Sequence, residues 1–248
     1  MIMRNLYKQL YNDCSNIENF KSISHFVSIH GKHFTENERR FLLIGRSTNG
    51  WFSIDAGTAD DFGAEAQKQF HDTTRWNWVE SVDGTLYSTH DKDKEHLKNR
   101  YCIDKKPYWT CSHAIYEQLH GSVHDDEIWM ENIAWTNLYK ISPKEYNPDY
   151  KLMKSQKDTC IEILKKELEY YNPTHILVMT GYDWFEPFSS VFTNVFDSRR
   201  RNICRGKQKN EIYVEGKAKF RNAPVVIACR PEWRDKEKYV ASVLSAFK

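Results

Sequence analysis

Three stretches of this chain carry polar side chains directly after an apolar run, an arrangement typical of ligand-binding loops. They are residues 45–50 (GRSTNG), 137–143 (NLYKISP) and 230–234 (RPEWR). Together they contain hydroxyl, amide and guanidinium groups, which can hydrogen-bond a polar ligand or stabilise an anion. In open α/β sheets, ligands gather at the carboxyl ends of parallel strands. We therefore predict a ligand site where these three loops meet.

Apolar runs in the sequence predict four buried strands. They comprise residues 41–45 (FLLIG), 131–138 (ENIAWTNL), 175–180 (HILVMT) and 224–229 (PVVIAC). Runs that are apolar on both faces are typical of parallel strands covered by helices on each side. Helical spacing predicts helices over residues 107–119, 152–171, 182–192 and 239–247. The alternation predicts an α/β fold with three layers, α/β/α, around a central, mostly parallel four-stranded sheet.

The remaining segments give weaker signals. Residues 2–34 have apolar positions at helical spacing and predict two helices. Residues 211–214 and 218–220 predict short strands joined by a turn at Glu215-Gly216. Residues 52–103 show no sustained period and are interpreted as an insertion, either a lid over the site or a pair of unrecognised helices. Without a repeat or a low-complexity linker, residues 1–248 are predicted to form one domain.

Composition limits the classes of partner. The chain has 36 Lys and Arg against 34 Asp and Glu, so an anionic partner must be met by a local basic patch. The most basic run is residues 199–209 (RRRNICRGKQK), in which Arg199, Arg200 and Arg201 are candidates for contacts with nucleic-acid phosphates. An ordinary basic surface loop is the alternative interpretation.

Cysteine spacing and hydropathy bear on metal binding and on cellular location. The six cysteines are scattered without a CxxC pair, which argues against structural zinc or an iron–sulfur cluster and favours a reducing compartment. We expect no metal and no cofactor. The amino-terminal residues do not form a signal peptide, and no apolar run approaches membrane-spanning length. The sequence therefore predicts a cytoplasmic protein with no membrane partner.

The first loop also bears on two other functions. It lacks the GxGxxG pattern of a dinucleotide site, which argues against a nicotinamide or flavin cofactor. Its G-x-S-x-x-G pattern is one residue longer than the nucleophile elbow of acyl hydrolases, with Ser47 as the candidate nucleophile. The last histidine, His175, begins a predicted strand and does not follow one, so a catalytic triad has weak support from the sequence.

The order of motifs resembles the uracil-DNA glycosylase superfamily. The shared set is an apolar strand followed by GxxxxG, a strand followed by TNLYK-x-SP, a helix followed by NP and an apolar strand, and a strand followed by RP. The resemblance runs from about residue 39 to the carboxyl terminus, apart from residues 52–103 and the predicted hairpin. It implies an α/β/α fold and excision of a flipped base from DNA.

The resemblance also implies roles for individual residues. Asn137 matches the asparagine that reads the flipped base. Arg230 stands where the family has a histidine that stabilises charge on the leaving base. Ser47 stands where the family has the Asp or Asn that positions the attacking water, and Asn49 lies two residues further on. Further substrate contacts are predicted at Gly45, Arg46, Thr48, Gly50, Trp51 and Lys140. Lys140 lies near the match to a lysine frequent in several branches of the family and would meet a phosphate; an ordinary surface lysine is the alternative interpretation.

Trp233 and Arg234 lie where the family has a loop that wedges into DNA. Trp233 would insert between bases or stack on them; packing beneath the final helix is the alternative. Trp51, Phe62 and Trp76 are candidates for stacking on the flipped base.

One departure from the family pattern bears on activity. Ser47 cannot act as a carboxylate base, so Asp55, Asp60 or Asp61 would have to supply that group. The sequence therefore predicts a uracil-DNA glycosylase-like protein that excises a base, or hydrolyses a related N-glycosidic bond, with a remodelled site. The alternative is a catalytically inactive protein of the same fold that binds nucleic acid or a nucleotide.

Overall fold

A computed structural model of the chain describes residues 2–17, 23–47, 57–73, 106–120, 129–143, 146–199 and 211–248. These residues contain six α-helices: α1 (Ile2–Cys14), α2 (Ala59–Phe70), α3 (Pro107–His120), α4 (Tyr150–Tyr171), α5 (Tyr182–Phe185) and α6 (Lys236–Phe247). They contain nine strands: β1 (Ile23–His25), β2 (Ile29–His30), β3 (Phe41–Gly45), β4 (Ile133–Asn137), β5 (Ile141–Pro143), β6 (His175–Val178), β7 (Thr193–Asp197), β8 (Val214–Phe220) and β9 (Ala223–Ala228).

The main sheet has the four predicted strands at its centre. Its order is β2-β4-β3-β6-β9-β8-β7, and β4, β3, β6 and β9 run parallel to one another. The α/β class predicted from the sequence is confirmed. The sheet is larger than predicted, however, because β2 adds to one edge and β8 and β7 to the other, all antiparallel.

Helices cover both faces of the sheet. Leu42, Ile44 and Val178 pack into one core with α1, α2 and α4. Leu43 and Leu177, which alternate with them, pack into a second core with α3 and α6. Burial on both faces explains why these strands are almost entirely apolar.

Two expectations for the flanking segments were wrong. The second helix predicted before residue 34 is replaced by β1 and β2, which pair with β5 and β4. Residues 23–31 are buried at every position, including the polar Ser24 and Ser28, so the segment has no exposed helical face. The turn predicted at Glu215-Gly216 lies within β8, and the chain turns instead at Arg221-Asn222, where Arg221 has a φ of 52°.

Part of the predicted insertion is helical. Helix α2 lies within residues 52–103 and packs on α1, while residues 52–56 and 74–103 lie outside the described residues. No helix within the described ranges is both long and apolar enough to cross a membrane.

Candidate functional site

A cavity of ≈ 270 Å³ opens at the carboxyl ends of the central parallel strands. Six segments contribute to its wall: the ends of β3, β4 and β6, the start of α3, the segment after β9 and the segment between β5 and α4. The lining residues are Gly45, Arg46, Ser47, Lys106, Pro107, Tyr108, Trp109, Trp135, Asn137, Asn147, Met179, Arg230 and Glu232. Parallel pairing thus brings residues of all three polar loops to one place, as the strand order implies.

Asn137 lies at the centre of the cavity wall. It ends β4, is 1 % exposed, and its Nδ2 has no hydrogen-bond partner among the described residues. Gly45 pairs with Asn137 in the parallel ladder, and a Cβ on Gly45 would lie 2.2 Å from Asn137 Oδ1. Glycine is therefore needed here to make room for the amide. A buried donor without a partner costs free energy, and a ligand acceptor in the cavity would recover it.

Aromatic side chains form the apolar part of the cavity. Trp109 and Trp135 are 2 % and 6 % exposed, their rings meet edge to face at 5.0 Å, and Tyr108 packs on Trp109. Sequence reasoning missed these residues. Trp135 lies two residues before Asn137 on β4, and alternation along a strand places both side chains on the same face. That spacing was the signal that could have identified Trp135.

Of the aromatic residues predicted to stack on a base, Phe62 is described, and it does not line the cavity. Phe62 is 1 % exposed and packs against Tyr7 and Tyr11 in the core between α1 and α2. Trp51 and Trp76 lie outside the described residues.

Two guanidinium groups and one carboxylate meet at the cavity mouth. Arg46 Nε donates to Thr180 O at 2.8 Å, and its guanidinium lies 5.0 Å from the centre of the Trp184 ring. Burial lowers the pKa of Arg46 to about 10, and the nearby charge of Arg230 acts in the same direction. Arg230 in turn forms a bidentate ion pair with Glu232. At the mouth, Arg46 also lies near the carboxylates of Asp183 and Glu215, and Glu232 neutralises Arg230, so charges of both signs meet there.

Glu232 is the carboxylate that sequence reasoning did not find. In the described part of the chain it is the one carboxylate that lines this cavity. Asp60 forms ion pairs with Arg4 and Lys8, and Asp61 accepts a hydrogen bond from Thr58 at the start of α2. These two aspartates, predicted as replacement bases, do not line the cavity. Asp55 lies outside the described residues.

Lys140 does not occupy the position predicted for it. Its side chain and that of Glu167 are both 0 % exposed, and the two form an ion pair of 2.8 Å. Lys140 Nζ also donates to Thr136 Oγ1 and to Asn137 O. The predicted phosphate contact is wrong, because every proton of this ammonium is engaged inside the core. The lysine instead holds the backbone at the end of β4.

Ser47 is the last described residue of the first loop. Its Oγ donates to Asn147 Oδ1 at 2.9 Å, and no histidine lines the described wall of the cavity. A serine nucleophile needs an adjacent general base, so this geometry does not support the acyl-hydrolase alternative. Four predicted site residues, Thr48, Asn49, Gly50 and Trp51, lie outside the described residues.

An open outer lobe adjoins the cavity and shares Arg46, Arg230 and Glu232 with it. Trp233 lies on its rim, at the third position of a turn in which Arg234 N donates to Pro231 O. Trp233 is fully exposed and has a φ of 64°, a conformation that disfavours any side chain. The alternative in which Trp233 packs beneath the final helix is therefore excluded. Arg234 also lines this lobe.

The basic run contributes less than predicted. Arg199 forms ion pairs with Asp197 and Asp183, and its guanidinium lies 4.6 Å from the centre of the Tyr182 ring. These carboxylates raise the pKa of Arg199 above its usual value. Because two acidic groups already neutralise Arg199, a phosphate would have to displace them to make the predicted contact. Arg200 and Arg201 lie outside the described residues.

Within the described ranges, no three His, Cys, Asp or Glu side chains lie close enough together to hold a metal ion. No protein-family model matches this chain, and no curated protein matches its sequence.

Proposed function

We propose that the chain is a uracil-DNA glycosylase-like protein that binds a flipped nucleobase in the cavity and hydrolyses its N-glycosidic bond. One observation carries the proposal: the Asn137 amide is buried, lines the cavity and leaves Nδ2 without a partner. An amide both donates and accepts, which suits the hydrogen-bonding edge of a base. The aromatic wall of Trp109 and Trp135 offers apolar surface of the kind that receives a base.

The charged residues at the mouth supply the chemistry that the reaction requires. When the glycosidic bond breaks, the base departs with the bonding electron pair and negative charge develops on it. Arg46 and Arg230 are the guanidinium groups that would stabilise this charge. Water adds its oxygen to the sugar carbon, and Glu232 is the carboxylate that would accept its proton.

Trp233 would insert into the base stack of the DNA. Its indole projects fully into solvent beside the outer lobe, although its backbone conformation is unfavourable. Strain of this kind persists where function requires it. An exposed indole next to the base cavity can take the place of an extruded base in the stack.

A second candidate function is favoured by one contact. Both carboxylate oxygens of Glu232 accept hydrogen bonds from the Arg230 guanidinium, so the carboxylate is already engaged and does not face an attacking water freely. In this alternative the protein binds a nucleobase or nucleic acid without cleaving it.

The deciding experiment measures cleavage and binding on the same labelled oligonucleotides. Single- and double-stranded forms carry one uracil, hypoxanthine or mismatched thymine, and alkali converts each excised site to a strand break. We expect breaks that disappear in Asn137→Ala. Arg230→Ala and Glu232→Gln should retain binding and lose turnover by about 10²–10³-fold, as when a group that stabilises the transition state is removed.

Glu237→Gln is the matched control for Glu232→Gln, because Glu237 is exposed on α6 and lines neither lobe. It should leave turnover unchanged. Binding without strand breaks would favour the second candidate. Oligonucleotides that are neither bound nor cut would overturn both.

A further inference from the structure

Three exposed aromatic side chains belong to segments that line the cavity or its outer lobe. Among the described residues, the exposed large aromatics are Tyr146, Tyr150, Tyr170, Phe196 and Trp233. Tyr170 contacts Phe70 and His71, which leaves it partly covered. Tyr146 and Tyr150 are 70 % and 76 % exposed, and they flank Asn147, a residue of the cavity wall.

The two tyrosines flank a residue that is tied to a different strand end from the one that carries Trp233. Asn147 accepts the hydrogen bond from Ser47, which follows β3, whereas Trp233 follows β9. One strand, β6, lies between β3 and β9 in the sheet. Two strand spacings amount to about 10 Å, a distance that a few nucleotides span. A strand whose base enters the cavity would therefore meet aromatic side chains from both segments.

The segment that carries the two tyrosines also carries exposed lysines. Lys151 and Lys154 are exposed on the first two turns of α4, and neither forms an ion pair in the described part of the chain. The acidic side chains on either side of them in sequence have other partners: Asp149 accepts a hydrogen bond from Leu152 N as the cap of α4, and Asp158 forms an ion pair with Lys157. Exposed aromatics interleaved with lysines are the features that bind single-stranded nucleic acid, with bases on the rings and phosphates on the cations.

We propose that Tyr146, Tyr150, Lys151 and Lys154 form a platform that binds single-stranded DNA beside the cavity. The proposal rests on the proposed function, since the strand is the one whose base the cavity receives. Stacking on an exposed tyrosine requires an unpaired base, because the faces of duplex bases are already covered by their neighbours. The platform therefore makes single-stranded DNA the preferred substrate form.

The test measures the affinity of the full chain for an undamaged labelled oligonucleotide of about 15 nucleotides, alone and annealed to its complement, at one fixed salt concentration. We expect Tyr146→Ala and Tyr150→Ala each to weaken single-strand binding about tenfold and duplex binding less than about twofold. Tyr150→Phe should bind as the parent does, since it retains the ring. Lys151→Gln and Lys154→Gln should each reduce the salt dependence of single-strand binding.

Phe196→Ala is the matched control, because Phe196 is an exposed aromatic on β7, which contributes no residue to either lobe. It should leave both affinities unchanged. The platform is overturned if the tyrosine variants bind single strands as the parent does, or lose duplex binding equally. The undamaged strand makes this result independent of excision. Loss of single-strand affinity in the tyrosine variants, in a protein that cuts no modified oligonucleotide, would support the platform and refute the glycosylase activity.

Discussion

Two ion pairs lie near the carboxyl edge of the sheet. Each joins a basic and an acidic side chain, but they differ in burial and in their hydrogen-bond partners. Lys140 and Glu167 are both 0 % exposed, and Thr136 and the backbone of Asn137 complete their hydrogen bonds. Arg230 and Glu232 are 42 % and 31 % exposed at the cavity mouth. The first pair is enclosed by protein on every side, whereas the second can exchange its partner for a ligand.

This difference in burial indicates that the two ion pairs have different roles. The buried pair fixes the end of β4, and with it the backbone from which the Asn137 amide projects. The partly exposed pair brings a cation and a carboxylate to the place where charge would change during a reaction. A charged residue near a candidate site is thus assigned a role by its burial and its partners, not by its distance alone.

The largest effect is expected from breaking the buried pair. Glu167→Ala or Lys140→Met leaves one charge buried without a partner, which should lower the free energy of unfolding by about 3–5 kcal/mol. The double variant Lys140→Met/Glu167→Leu removes both charges and should recover most of that loss. Denaturant unfolding measures all three.

Two controls sharpen this prediction. Arg230→Ala breaks the pair at the mouth, and Lys165→Ala breaks an exposed pair with Glu162 on the surface of α4. Each should change the free energy of unfolding by less than about 1 kcal/mol, because solvent already screens these charges. Equal losses for Glu167→Ala and Arg230→Ala would contradict the distinction between the two pairs.

The second-largest effect is expected at Gly45, which packs against the Asn137 amide. In Gly45→Ala the new Cβ would lie 2.2 Å from Asn137 Oδ1, so the amide must move. We expect a loss of about 1–3 kcal/mol in the free energy of unfolding, the range for an overpacked core. Binding of a base-containing oligonucleotide should be lost with it. Gly57→Ala is the control, because a Cβ at Gly57 meets nothing within 4 Å. If Gly45→Ala binds as the parent does, Asn137 is not the residue that reads the base.

The central strands could be predicted because each is a local apolar run that ends at a polar residue. The meeting of Gly45, Asn137 and Arg230 followed from parallel pairing, which needs only the order of these runs. The residues at strand ends are thus the part of a site that sequence order fixes best.

Pairings between distant residues could not be predicted in the same way. Lys140 was expected to contact phosphate, yet its partner Glu167 comes 27 residues later, on a helix whose orientation the sequence does not specify. Arg199 was expected to contact DNA, yet Asp183 on α5 neutralises it. Such partners depend on how elements pack, which a local pattern does not contain.

The smallest change in stability is expected at Trp233. Its backbone conformation favours glycine, whereas the proposed DNA contact requires the indole. Its φ of 64° costs an ordinary side chain about 1–2 kcal/mol, and glycine avoids that cost. Glycine also stabilises the unfolded chain by about 0.5–1 kcal/mol, because it increases the conformational entropy of that state. Trp233→Gly should therefore raise the free energy of unfolding by no more than about 1 kcal/mol. DNA binding should nevertheless weaken, since the exposed indole is lost. Trp233→Ala, which keeps a Cβ, should weaken binding equally without the gain in stability. A loss of stability in Trp233→Gly would show instead that the indole packs against the protein, and would remove the argument that it is held out for DNA.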